Sequence, residues 1–213
     1  MVALAGHNGV PHNHNDVGSF IVHKWGKLSL LDPGGPMYTK KTFSPRRYEI
    51  LFCSSRGHSV PVINGAEQAE GERHYGTMAV ENLNGEGVKQ VEIDMARAYP
   101  RGTVKKLVRR FALESGSNRL TLEDTYRFTK KPRSVEEAFI TFERVTVAKN
   151  GASVRIGRRA DGLSLKAVDC PGTFKASRLV EESKDGRTGD VITRITFLPK
   201  TLSKEMQLRF DVE

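Results

Sequence analysis

The sequence predicts an all-β protein, an antiparallel multi-stranded sandwich of stacked sheets. Three observations predict it. Roughly a dozen short apolar-rich segments recur along the 213 residues at fairly regular spacing. Many of them alternate; in NRLTLEDTYRF, residues Leu120, Leu122, Asp124, Tyr126 and Phe128 fall on one face, apolar except for Asp124. Gly, Pro and Asn punctuate the segments, and no stretch holds a helical period over three turns.

The elements follow in order. SFIVHKWGKLSLLD is two apolar runs about Trp25-Gly26-Lys27, a hairpin signal. HSVPVING reads as a strand opened by His58 and stopped at Asn64-Gly65. GVKQVEIDMARAY, GTVKKLVRRFALES and NRLTLEDTYRFT come next, parted by Pro-Arg-Gly and Ser-Gly-Ser-Asn turns. SVEEAF is the one short segment with helical character, enough for a single turn. AFITFERVTVAKNGASVRIG predicts a hairpin at Asn150-Gly151, and LSLKAVD, GTFKASRLVEE, DVITRITFLP and EMQLRFDVE complete the strands. No internal repeat or Pro/Gly/Ser-rich linker interrupts residues 1–213, which read as one domain with a soft boundary near Arg133.

With 38% hydrophobic residues the chain can bury a sizeable core. Its formal charge of +9 favours acidic partners: nucleic acid, anionic lipid or acidic polysaccharide. No run is long enough to span a bilayer, and MVALAGHNG lacks the basic and apolar regions of a signal peptide. The basic runs VKKLVRRF and RIGRRADG read as a solvated sheet edge and a turn. No nucleic-acid-binding motif is present, so that function would rest on charge alone. Cys53 and Cys170, far apart, allow one disulfide or two free thiols.

The densest chemistry lies in GHNGVPHNHNDVGSF, residues 6–20. On an extended strand His12 and His14 would share one side, a start for a divalent metal site. Further ligands would come from Asp32, before Pro33-Gly34-Gly35, and from His58. Simple hairpin pairing puts Asp32 opposite Ile21, about 23 Å from His14 at the usual strand rise. One ion on both therefore needs a bend within Asn15–Gly18, which Gly18 permits. Asp16 is an alternative ligand that needs no bend, though Asn-Asp before Gly is also a turn signal. His7 and His23 read as structural, and His74 as ambiguous. Tyr38, Arg46, Arg47 and Tyr48 form an aromatic, basic stretch that reads as a sugar-cleft lining or as a plain loop crossing the sheet.

Together, PHNHNDVGSFIVHKWGKLSLLDPG and YTKKTFSPRRYEILFCSSRGHSVPVINGAEQ resemble the start of the sheet domain of the heparinase II/III family of polysaccharide lyases, which includes alginate and oligo-alginate lyases. The resemblance runs over residues 6 to 70. It implies a bacterial, periplasmic or secreted enzyme that pairs an N-terminal α/α toroid with a C-terminal β-sandwich and cleaves an acidic, uronic-acid-containing polysaccharide by β-elimination. By position, His12 resembles the catalytic sheet-domain histidine. His14, Asp32 and His58 resemble the three ligands of a zinc ion. Tyr48 falls near substrate-contacting groups, and Asn13 and Arg46 join it as candidate substrate-binding residues. The resemblance also implies that the chain is part of a longer protein, with Met1 added to it. The tyrosine expected to protonate the leaving oxygen belongs to the toroid, so this chain alone is expected to be inactive. Two other readings are a non-catalytic glycan-binding or structural sandwich, and a basic nucleic-acid-binding module.

Overall fold

The computed structural model describes residues 1–24, 26–117, 119–158 and 161–213; Trp25 of the first hairpin signal, Asn118 of the Ser-Gly-Ser-Asn turn and Arg159 of the RIGRRADG run lie outside them. Among the described residues the regular elements are strands and 3₁₀ turns only. The strands are β1 (Val2–Ala3), β2 (Gly6–Asn8), β3 (Phe20–Lys24), β4 (Lys27–Leu30), β5 (Val62–Ile63), β6 (Gly71–Glu81), β7 (Val88–Asp94) and β8 (Lys106–Glu114). They continue with β9 (Arg119–Arg127), β10 (Val135–Thr141), β11 (Val145–Val147), β12 (Ser153–Ile156), β13 (Leu163–Val168), β14 (Gly172–Arg178), β15 (Thr193–Pro199) and β16 (Glu205–Val212).

These strands form three antiparallel sheets. The largest runs β11-β12-β13-β16-β9-β8-β7-β6-β2, the second β14-β15-β10-β5, and the smallest β1-β3-β4. The strands beyond residue 133 contribute to both larger sheets. Alternation decides which side chains face inward. Leu120, Leu122, Asp124 and Tyr126 of β9 are all buried, as the sequence pattern requires. They meet a phenylalanine stack spanning the layers. Phe210 of β16 lies 5.2 Å from Phe139 of β10 and 5.1 Å from Phe197 of β15, and Phe20 of β3 lies 5.0 Å from Phe111 of β8. Each buried ring contributes about 2–3 kcal/mol from surface removed from water. On β10 the pattern serves two cores. Phe139 enters the main core, while Ile140 packs with Leu31, Ile50, Leu51, Phe52, Cys53 and Ile192 in a second cluster. That second cluster seats residues 47–57, three successive 3₁₀ turns that lead into His58.

Three sequence expectations are corrected. SVEEAF is not helical: Val135–Thr141 is a strand between β15 and β5, and its register to both neighbours outweighs the helix preference of Glu and Ala. The HSVPVING strand shrinks to Val62–Ile63, and His58 instead closes the 3₁₀ turn Ser55–Gly57. An added Cβ on Gly57 would sit 2.2 Å from the Leu51 carbonyl, so only glycine lets the chain fold this closely upon itself. VKKLVRRF is not a sheet edge, since β8 lies between β7 and β9. Arg109 within it is completely buried. Both cysteines are free, Cys53 buried and Cys170 half-buried.

Arg109 explains the odd Asp124. The guanidinium donates to Asp124 from Nε at 2.9 Å and from Nη2 at 2.6 Å, and to Glu137 on β10 at 3.1 Å. Its remaining nitrogen, Nη1, donates to the carbonyls of Gly18 at 2.9 Å and Ser59 at 2.5 Å. Tyr126 donates its hydroxyl to Glu137. One buried cation thus ties the large sheet to β10 and to both segments that carry the candidate site.

Candidate metal centre

Residues 9–19 do not form a strand. They fold into turns, pinned at their base by the buried Gln68. The Gln68 amide receives the Asn8 side chain at 3.1 Å and the Val17 N–H at 3.0 Å, and donates to the Val17 carbonyl at 2.7 Å. Asn15 donates from its backbone to Cys53 O at 3.0 Å, and Ser55 Oγ donates to Asn15 O at 2.7 Å. Almost every polar group at the base of the loop is satisfied within the protein, which fixes its path.

The bend that His14 and Asp32 require is present. Ser19 N–H closes a turn onto Asp16 O at 2.8 Å, and Gly18 takes φ +90°, open to glycine. After β4 the chain leaves β3 and bonds to β10 through Leu31 N–H and Ile140 O at 3.0 Å. The result gathers His14, Asp32 and His58, whose ligand atoms all lie within 4.8 Å of one another.

His58 is wholly buried and defines the centre. Its Nε2 lies 3.0 Å from the Phe52 carbonyl and its Nδ1 lies 3.0 Å from Asp32 Oδ2, with Asp16 Oδ2 at 3.9 Å. Both nearest partners are acceptors, so the metal-free ring satisfies them only as an imidazolium. Burial opposes that charge, but the Asp32 hydrogen bond and the carboxylates of Asp32 and Asp16 together push its pKa above the ordinary histidine value. His14, with its ring 5.1 Å from that of His58, responds oppositely. Burial, then the neighbouring His58, lower its pKa to about 4, so it is a neutral imidazole at pH 7. Burial would raise Asp32, but the His58 hydrogen bond and charge and the Gly34 N–H at 2.9 Å carry it down to about 2. Burial lifts Asp16 to about 6.

This donor set fits zinc: two imidazoles and one ionised carboxylate, with no thiolate required. The Phe52 carbonyl fixes Nε2 as the protonated nitrogen of His58 and leaves Nδ1 for an ion, as outer-shell carbonyls do for metal-bound histidines. Calcium or magnesium would call for more oxygens.

The remaining candidates divide. His12 does not share a strand face with His14. It sits in the turn at φ +60°, exposed, with its ring stacked on Tyr38 at 5.5 Å, while His14 pairs with His58. His12 is therefore outside the metal cluster. Asn13 and Tyr48 come together, the Tyr48 hydroxyl donating to Asn13 Oδ1 at 2.9 Å. Arg46 turns away and forms a fork with Glu49 at 2.8–3.0 Å, fully exposed. The neighbouring Arg47 reaches the loop instead, donating to the Asn13 carbonyl at 2.8 and 3.2 Å and to Thr42 O at 3.0 Å. His7 accepts the Gly9 N–H, and His74 faces the Arg97 carbonyl.

No family model and no curated protein matches the sequence. Solved structures do match. Heparan sulfate lyase HepC from Pedobacter heparinus aligns over 93% of this chain with a TM-score of 0.69 at 12% identity. The heparinase III BT4657 gene product aligns over 99% with a TM-score of 0.71 at 13% identity. The fold is shared. The chain spans only 30–31% of the length of those proteins.

Proposed function

We propose that this chain is the sheet domain of a polysaccharide lyase that cleaves a uronate-containing acidic polysaccharide by β-elimination. The observation that carries the reading is the convergence of His14, Asp32 and His58, two residues from an exposed His12, on a fold shared with a heparan sulfate lyase and a heparinase III. His12 is the residue offered to substrate, and Asn13 and Tyr48 support the same edge of the cleft. Arg46 is exposed, and to meet an anionic chain it would leave its fork with Glu49. His14, Asp32 and His58 would hold one zinc ion, whose contribution is to pin the 12–18 turn against the segment ending at His58. Such a protein acts where its polymer is met, in the periplasm or outside the cell.

The chemistry needs two walls. In β-elimination the C5 proton of the uronate leaves to a base, the C4–O bond breaks, a C4=C5 double bond forms, and the leaving oxygen takes a proton. Neutralising the uronate carboxylate makes the C5 proton acidic enough to remove. The exposed imidazole of His12 supplies one proton-handling group. The second, and the groups that neutralise the carboxylate, come from a toroid domain facing this one, and both sets must be positioned together. No helix among the described residues is long and apolar enough to cross a membrane.

The test is formation of unsaturated uronate by the two-domain enzyme. His12→Ala should cut the rate at least a hundredfold while zinc content and melting temperature hold, and the 213-residue chain alone should give none. An undiminished rate in His12→Ala would refute the role of this face in catalysis.

A further inference from the structure

Next to the metal cluster, two distant loops build a surface for which the lyase chemistry supplies no task. Pro36 bridges Gly186, Met37 N–H donates to Asp185 O at 2.7 Å, and Arg187 Nε donates to Pro36 O at 2.9 Å. Within the first loop, Thr42 Oγ1 receives the Thr39 N–H at 3.0 Å, and Arg47 clamps the Thr42 carbonyl. The loop is thus stapled at both ends and presents its side chains on a fixed base.

What it presents is aromatic and bare. Tyr38 is 52% exposed and Phe43 64% exposed, with their rings 5.2 Å apart. His12 stacks on Tyr38 and meets Phe43 edge-on at 6.1 Å. The guanidinium of Arg187 lies 4.5 Å from the centre of the Tyr38 ring. Apart from its bond to Pro36, Arg187 has no hydrogen bond or ion pair among the described residues, so its two terminal nitrogens are available. Contiguous exposed aromatic surface is uncommon on a folded protein unless something covers it.

We propose that Tyr38, Phe43 and Arg187 form a subsite for one anionic pyranose of the bound glycan. A pyranose offers a face of C–H groups, which suits the electron-rich faces of aromatic rings. Its carboxylate or sulfate suits the paired terminal N–H groups of a guanidinium. The rings gather within 6.1 Å, about the width of one sugar ring. A single-stranded nucleic acid would instead call for successive stacking platforms along a basic groove. Lys40 and Arg47, nearby on the same loop system, add positive charge. The subsite rests on the reading of this face as a wall of a glycan cleft, and it extends that wall away from His12 toward the 185–187 segment.

The experiment is a titration of the 213-residue chain, followed by calorimetry and by the ring resonances of His12 and Phe43. Four ligands are compared: a carboxylate-only oligouronate, a heparan sulfate oligosaccharide, the carboxyl-reduced neutral form of the first, and a dT oligomer. At least one anionic glycan should bind saturably, and the neutral form at least fivefold more weakly. Binding to both anionic glycans identifies the carboxylate as the anion, and binding to heparan sulfate alone identifies the sulfate. Tyr38→Ala and Phe43→Ala should each weaken binding about three- to tenfold, in line with the usual worth of an aromatic stack. Arg187→Gln should remove the preference for the anionic form. All three positions are on a surface loop system, and unchanged melting curves will exclude unfolding as the cause. Wild-type binding that all three variants retain would overturn the subsite and leave the lyase reading intact, because that reading is scored separately by His12→Ala turnover. No saturable binding of either anionic glycan, or tighter binding of the dT oligomer, would also overturn it.

Discussion

Replacing Arg109 by methionine should be among the most damaging single changes available in this fold, and the damage should depend on pH. Methionine keeps the length and fills most of the volume but removes the charge and every donor. Lost with them are three hydrogen bonds to Asp124, one to Glu137, and those to the carbonyls of Gly18 and Ser59. Asp124 and Glu137 are both completely buried, so neither can turn to water for compensation. Removing one partner of a buried ion pair typically costs about 3–5 kcal/mol. Each orphaned buried carbonyl adds on the order of 1 kcal/mol, not fully additive. We expect a loss near the upper end, about 5 kcal/mol at pH 7. At about 2–4 °C per kcal/mol for a chain of this size, the melting temperature should fall by about 10–20 °C.

The pH arm isolates the electrostatic cause. Burial, and then the charge of Asp124, hold the Glu137 pKa well above the usual carboxylate range, with Arg109 opposing. A carboxyl group whose folded-state pKa is raised favours the folded state fully below its unfolded value, about 4.3, and loses that contribution as pH rises. Without Arg109 this penalty at neutral pH must grow, because the one opposing cation is gone. The deficit of Arg109→Met relative to wild type should therefore narrow as pH is lowered from 7 to 5. Urea melts of both proteins at the two pH values measure it. A deficit below about 1 kcal/mol, or one that is equal at both pH values, would refute the assignment of Arg109 as the counter-ion of this cluster.

Three further outcomes are expected. Zinc added to the metal-stripped chain should raise its melting temperature, and His14→Ala or His58→Ala should each abolish both the rise and stoichiometric zinc in elemental analysis, because metal binding adds to folding free energy; an unmoved wild-type melt would show the cluster to be a polar turn only. Gly18→Ala should cost about 1–3 kcal/mol in urea unfolding, since the position holds φ +90° and an added Cβ would lie 2.3 Å from the buried Met95 sulfur. Tyr48→Phe should cost about 1 kcal/mol or less, the worth of its single hydrogen bond to Asn13, and a loss above 2 kcal/mol would mean that the hydroxyl supports more than that loop.

Much of the sandwich was legible because alternation is a local signal. Strands β7 to β9 and β13 to β16 follow their apolar pattern, and the Asn150-Gly151 hairpin follows its turn chemistry. Strand β6 was not legible: its eleven residues are largely polar and exposed, and only pairing with β2 and β7 makes them a strand. Strand β10 was misread because Glu136-Glu137-Ala138 carries helix preference, whereas its place at the centre of a sheet is set by residues far away in sequence. The gathering of His14, Asp32 and His58 followed from the resemblance, whereas local pairing rules opposed it, because the turn at Asp16–Ser19 is what brings them together. Arg109 was hidden for a similar reason, since its partners stand 15 to 91 residues away. One clue was available: Asp124, alone on an otherwise apolar face, required a buried cation. The sequence also offered no way to tell that Arg47, and not Arg46, would reach the 12–14 turn.

The Arg109 cluster has a consequence for the order of events during synthesis. His14, Asp32 and His58 leave the ribosome before Arg109, which holds the Gly18 and Ser59 carbonyls, and before Ile140, which accepts from Leu31 N–H and donates to Ser59 Oγ. About 80 residues separate Ser59 from Ile140. At about 5–20 residues per second, that interval lasts roughly 4–16 s. Throughout it the Gly18, Leu31 and Ser59 bonds that position the segments of His14, Asp32 and His58 lack their partners. At the proposed zinc site, loading would then follow closure of the sandwich and mark a finished fold.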